Sequence, residues 1–144
     1  MTDASRSALI LIEYVNDWLS PTGGIYPAFQ DREQVDTAVA NSKIILEEAR
    51  HVVRERAGGS SVFVGTTLDG YLRNNRIFDI YLAGFSLRQC VESSMRNAHD
   101  LGYNTNVIYD ASSGYTRKQQ DDFVAEIAPF YANAITTQTF LAQA

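Results

Sequence analysis

Two short, almost unbroken apolar runs stand out along the chain, ALILIE (8–13) and IFDIYLAG (77–84). Runs of this length without polar alternation suit strands of a parallel sheet that is covered by helices on both faces. NVIYDA (106–111) reads as a third strand and AITT (134–137) as a last, short one. Between them the apolar spacing changes. From Asp31 to about Arg50, Val35, Ala38, Val39, Ser42, Ile45, Leu46 and Ala49 recur at three- and four-residue steps, which predicts an amphipathic helix. LDGYLRNN (68–75) predicts a short helix. FSLRQCVESSMRNAHDLGY (85–103) predicts a tight turn passing into a helix that ends near Gly102. Thr116 and Gln119 have the spacing of a capping box, ahead of a helix carrying Phe123, Val124, Ile127 and Phe130.

Two stretches break the pattern. NDWLSPTGGIYP (16–27) holds Pro21, Gly23, Gly24 and Pro27 and reads as a long loop after the first strand. HVVRERAGGSSVFVGTT (51–67) mixes charge, glycine and serine and reads as a loop with at most short extended pieces. The alternation of strands and helices predicts one α/β domain over residues 1–144. It is a three-layer, doubly wound (Rossmann-like), mostly parallel sheet. After the first crossover helix only Val52 and Val53 precede the charged loop, so the sheet is expected to lack its second strand or to have residues missing between helix and loop.

Composition narrows the function classes. The 144 residues are 45% hydrophobic and 20% charged, as in an ordinary globular chain, and the formal net charge is −5 with no basic stripe. Such a field repels a phosphate backbone, so nucleic acid is not an expected partner. The first apolar run is broken by Glu13 and is too short for a signal-peptide core or a membrane span, which points to the cytoplasm and to no membrane partner. The single cysteine cannot form an intramolecular disulfide or an all-cysteine zinc site. His51 and His99 have no metal-ligand spacing, with His99 expected on a helix surface, and no cofactor is implied.

Open α/β sheets bind ligands just outside the carboxyl ends of their strands. Glu13 ends the first strand there, Cys90 lies a few residues past the end of IFDIYLAG, and the RERAGGSS loop can reach the same edge. At the start of a helix, backbone N–H groups favour a thiolate, so the Cys90 thiol is expected below its usual pKa. A carboxylate at Glu13 can take the thiol proton and return it to a leaving group, and the turn through Phe85, Ser86 and Leu87 can aim N–H groups at an oxyanion. Each residue also has a plain structural role open to it. Cys90 can be a small buried hydrophobe. Glu13 can be the partner of an arginine and Arg56 a solvated surface charge. Tyr14, Trp18 and Tyr26 can line a pocket or belong to the core.

Read together, the segments carry a resemblance. ALILIEYVNDWL resembles the opening strand of isochorismatase-like cysteine hydrolases, in which an acidic residue ends the strand and an Asn-Asp-aromatic group follows. IYLAGFSLRQCVESSMRNAHDLGYNTNVIYDAS resembles their nucleophile segment, running from a strand and Ala-Gly through a turn to Gln-Cys-Val, a helix, Asp-Leu-Gly-Tyr and Asp-Ala. GTTLDGYLRNNRI and AITT extend the match over most of the chain.

The resemblance implies a triad of acid, base and nucleophile at Glu13, Arg56 and Cys90. Glu13 stands where most members have aspartate, and Arg56 where they have lysine. Arginine keeps the charge but cannot share a proton as lysine can. It also implies a cis peptide between Phe85 and Ser86, with the amides of Ser86 and Cys90 as the oxyanion hole. The activity implied is hydrolysis of a small amide or related C–N bond through a covalent Cys90 intermediate, in a homodimer or homotetramer. The metal-binding histidines of nicotinamidases are not evident. Three other readings stay open: a catalytically inactive ligand-binding or oligomeric relative, a vinyl-ether hydrolase of the isochorismatase type, and a thiol redox sensor.

Overall fold

A computed structural model describes residues 4–49, 51–55 and 59–143. Strand β1 (Ser7–Ile12) leads through a short helical turn, α1 (Asn16–Leu19), to the long helix α2 (Arg32–Glu48). Then come β2 (Val52–Glu55), α3 (Leu68–Asn74), β3 (Asp79–Gly84), α4 (Glu92–Asp100), β4 (Asn104–Ile108), α5 (Arg117–Asp122), β5 (Asn133–Ile135) and α6 (Thr137–Gln143). The five strands form one sheet in the order β2-β1-β3-β4-β5, and every pairing is parallel.

The apolar runs are explained by burial on both faces. Successive side chains of a strand point to opposite sides. Ala8, Ile10, Ile12, Ile80 and Leu82 join a cluster with Leu68 and Leu72 of α3, Met95 of α4 and Phe123. Leu9, Leu11, Tyr81 and Ala83 face the other way, with Ile45 of α2 and Phe140 of α6. Helices therefore cover both sides of a doubly wound α/β sheet. Among the described residues no helix is long and apolar enough to cross a membrane.

Local signals behave as their chemistry dictates. Asp31 caps α2 by accepting from Gln34 N at 3.0 Å, and Thr116 caps α5 by accepting from Gln119 N at 3.2 Å. Gln119 completes that cap by accepting from Tyr115 N at 2.8 Å, one residue earlier than a capping box requires. Gly102 follows α4 with φ +86°, a conformation that glycine enters without steric cost.

The expected gap in the sheet is corrected by β2. Its four residues pair with β1 from Leu9↔Val52 to Ile12↔Glu55. Edge strands are commonly short and charged, since one face of their ladder meets no neighbour. A stretch reading VVRE therefore looks like a loop while serving as an edge. The helix after Thr116 also departs from the expected periodicity. It passes from α5 into a π-helical turn, Phe123–Ile127, and a 3-10 turn, Ala128–Phe130, containing Pro129. The extra residue per turn rotates Phe130 outward, so Phe123 is fully buried while Phe130 is 74% exposed.

Candidate functional site

The strand order places a crevice between β1 and β3. The chain leaves β1 through α2 on one face of the sheet toward β2, and leaves β3 through α4 on the other face toward β4. Divergent crossovers of this kind open the carboxyl edge between the two strands. The two strands end level, with Ile12 paired to Gly84.

Glu13 follows Ile12 at φ +59° and is buried to 6% exposure. On the β3 side, Gly84 adopts φ +145°, and a Cβ there would lie 2.1 Å from the Ile12 carbonyl oxygen. Phe85 N then donates to Ile12 O at 3.2 Å. The Phe85–Ser86 peptide is cis. A single π-helical turn, Leu87–Val91, follows and carries Cys90 into α4. The loop after β4 clamps this turn from the side. Gly84 N donates to Ser112 Oγ at 3.1 Å, Ser113 N to Gly84 O at 3.3 Å, and Leu87 N to Ser113 O at 2.8 Å.

Cys90 is 7% exposed. Burial pushes its thiol above the usual value and the Glu13 carboxylate pushes it the same way, while a hydrogen bond from its own backbone opposes them. This corrects the expected lowering. Cys90 sits inside the π-helical turn, whose Leu87, Gln89 and Val91 N–H groups are already donated to Ser113 O and Ser86 O. The thiol also faces a carboxylate. A carboxylate near a thiol is an arrangement that general-base activation uses.

Arg56 lies outside the described residues, so of the three triad positions Glu13 and Cys90 are the two that the structure brings together. Tyr14 is turned into the α2 packing. Its hydroxyl lies 2.6 Å from Ser42 Oγ and donates to Ala111 O at 3.2 Å, its ring meets Phe85 edge-on at 5.2 Å, and burial drives its phenol well up. Trp18 stacks on Tyr115 with ring centroids 6.4 Å apart and planes 7° from parallel. Tyr26 lies under the Arg32 guanidinium at 3.8 Å. His99 is exposed on α4, edge-on to Tyr131. Among the described residues no three His, Cys, Asp or Glu side chains cluster to hold a metal.

Sequence reasoning did not single out Tyr115. Burial and the neighbouring Cys90 both push its phenol up, and its hydroxyl donates to Gln89 Oε1 at 2.9 Å. It follows the end of β4 on the same carboxyl edge. Applying the strand-end rule to NVIYDA would have reached it.

Ser86 carries a sharper signature. It occupies the N-cap position before the π-helical turn without capping it, and its hydroxyl is fully buried with no hydrogen-bond partner among the described residues. A buried hydroxyl without a partner costs roughly 1–3 kcal/mol. Ser86→Ala should therefore raise the urea midpoint or leave it unchanged, and a clear loss of stability would contradict this account of the hydroxyl.

Residues 50–139 match the Isochorismatase domain family model. In sequence the chain is 34% identical over 101 residues to the isochorismatase family protein YwoC of Bacillus subtilis (strain 168), covering 70% of this chain and 52% of that protein. It is 36% identical over 56 residues to the nicotinamidase of Escherichia coli (strain K12), covering 39% of this chain and 26% of that protein. The chain spans about half the length of the isochorismatase family relatives it matches. An isochorismatase-like hydrolase from Alkaliphilus metalliredigens shares the fold, with a TM-score of 0.81 at 15% identity, over 98% of this chain and 99% of that one.

Proposed function

The chain belongs to the isochorismatase family, and on that premise we propose that it is a hydrolase acting on a small amide or related C–N bond through a covalent Cys90 intermediate. The observation that carries this reading is the buried Cys90 thiol within the field of the buried Glu13 carboxylate, at the carboxyl ends of β3 and β1. The nicotinamidase match favours an amide, since an amidase by name cleaves one.

In the proposed reaction Glu13 takes the proton from Cys90 Sγ as sulfur attacks the carbonyl carbon. The negative charge that builds on the carbonyl oxygen is received by the amides of Ser86 and Cys90. Glu13 then protonates the departing nitrogen, leaving a thioester. Water, deprotonated by Glu13, opens the thioester to the acid and restores the thiol. Arg56 stands at the basic position of the family pattern, as arginine where most members have lysine. Trp18, stacked on Tyr115 beside the thiol, forms the wall against which a flat substrate lies.

The test incubates the protein with a panel of small amides, follows release of the amine, and searches for a substrate-derived adduct on Cys90 by mass spectrometry. Glu13→Gln separates this mechanism from a merely buried cysteine because its two effects run in opposite directions. Loss of the carboxylate charge lowers the Cys90 thiol toward its usual value, so iodoacetamide alkylates it faster at a fixed pH below its midpoint. Loss of the base slows hydrolysis by roughly 10²-fold or more. Unchanged or slower alkylation in Glu13→Gln would mean that the carboxylate does not act on the thiol. A panel left untouched, with no adduct, would favour the non-catalytic reading that arginine at position 56 suggests.

A further inference from the structure

Gln34 lies on the first turns of α2, far from Cys90 in sequence, and is 2% exposed. A buried side-chain amide needs its hydrogen bonds satisfied, and the identity of its partners shows what it holds. Gln34 Oε1 accepts from Gly114 N at 2.8 Å and lies 3.0 Å from Ser113 Oγ, whose single proton is shared with Gly114 O at 2.8 Å. Its Nε2 points back to Asp31 Oδ2 at 3.5 Å. Both Oε1 contacts fall on the segment that clamps the cysteine turn. One residue earlier, Ser112 Oγ accepts from Gly84 N, and Ser113 itself bonds Gly84 through its N–H and Leu87 through its carbonyl. One residue after Gly114, the Tyr115 carbonyl accepts from Gln30 N at 2.8 Å, and its hydroxyl donates to Gln89 Oε1, next to Cys90 in the chain. The start of α2, residues 112–115 and the turn from Gly84 to Leu87 are thus one hydrogen-bonded body, with Gln34 as the α2 side chain that bonds both Ser113 and Gly114.

We propose that Gln34 is a positioning residue for the nucleophile: through residues 112–114 it sets the turn that aims Cys90 Sγ and places the Tyr115 wall beside it. As a catalytic statement this rests on the hydrolase reading above. As a statement about the thiol's placement it stands alone, because small displacements of a reacting atom are felt steeply in rate.

The experiment compares Gln34→Leu and Gln34→Glu with the unaltered protein, well below the unfolding temperature of each. Gln34→Leu keeps the bulk but leaves Gly114 N without its acceptor. It should change the rate of Cys90 alkylation by iodoacetamide across a pH series by about threefold or more, and lower kcat about tenfold or more with KM within about twofold. Gln34→Glu sets a carboxylate against Asp31 Oδ2 and should lower the thermal midpoint, yet it retains an oxygen that accepts both bonds and should restore kcat to within about threefold of the unaltered protein. A purely structural role would lower the thermal midpoint of Gln34→Leu and leave the alkylation profile and kcat unmoved, and that result would overturn the inference. Should Gln34→Leu not fold, Ser113→Ala carries the same test, since it deletes the hydroxyl through which Ser113 bonds Gln34 Oε1; an unmoved alkylation profile there would overturn it equally. If the alkylation profile shifts while no amide is turned over by the unaltered protein, the positioning role stands and the hydrolase reading falls.

Discussion

On the proposed mechanism Cys90→Ala is expected to reduce amide turnover by about 10⁴-fold or more while leaving the protein folded, because the covalent bond to carbon is formed by its sulfur. The thiol is small and lies in the buried cluster that includes Leu87, Val91 and Met95, so its removal leaves only a modest void. A stability loss of about 1 kcal/mol fits deletion of one buried heavy atom. Cys90→Ser sharpens the test. It nearly preserves size, yet a serine hydroxyl holds its proton far more tightly than a thiol, and a carboxylate is too weak a base to remove it. Both variants should therefore be inactive, and both should give a native circular dichroism spectrum. Turnover surviving in either one would remove Cys90 from the mechanism.

Gly84→Ala is expected to be the most damaging single-methyl substitution in the site. The added Cβ would sit 2.1 Å from Ile12 O and 2.9 Å from Ile12 C, both of them backbone atoms of the adjacent central strand. Flexible side chains can move away from a methyl group, but paired strands cannot. The residue is also at φ +145°, which side-chain-bearing residues rarely adopt. Backbone strain and overpacking at about 1–3 kcal/mol each place the total loss at about 2–6 kcal/mol, a large share of the stability of a domain this size. Urea unfolding measures it directly. The loss should be accompanied by loss of activity, since Gly84 bonds both Ser112 and Ser113 and separates Ile12 from the cysteine turn. Gly70 in α3 provides the contrast: a Cβ there meets nothing within 4 Å, so alanine should be neutral or stabilising by about 0.5–1 kcal/mol. Equal effects at the two glycines would show that the crowding at Ile12 is not what matters.

How much of the site could be read in advance depended on the range of the interaction involved. Glu13 and Cys90 were legible because each lies just beyond an apolar run, and strand ends in a parallel sheet lie on one edge. The direction of the Cys90 thiol's shift was not. A helix start is a local feature and argues for a lowered value, whereas burial and a carboxylate from another strand act only once β1 and β3 pair. The roles of Tyr115, which the strand-end rule reaches only as a position on the edge, and of Gln34 were hidden for the same reason. Neither belongs to a motif, and each acquires its role from a contact with residues distant in the chain.

What the amino-acid sequence determined alone was therefore everything that short-range periodicity and backbone chemistry can carry. The doubly covered strands β1 and β3, the amphipathic α2, the Asp31 and Thr116 caps and the Gly102 terminus all arise from patterns within a few residues. Tertiary structure decided the rest. It made VVRE an edge strand because β1 offered a free ladder beside it, and it turned Phe130 outward through one π-helical turn. It also brought Glu13, Cys90, Tyr115 and the Gln34 clamp to one crevice, because level strand ends and divergent crossovers are properties of the assembled sheet and of no single segment.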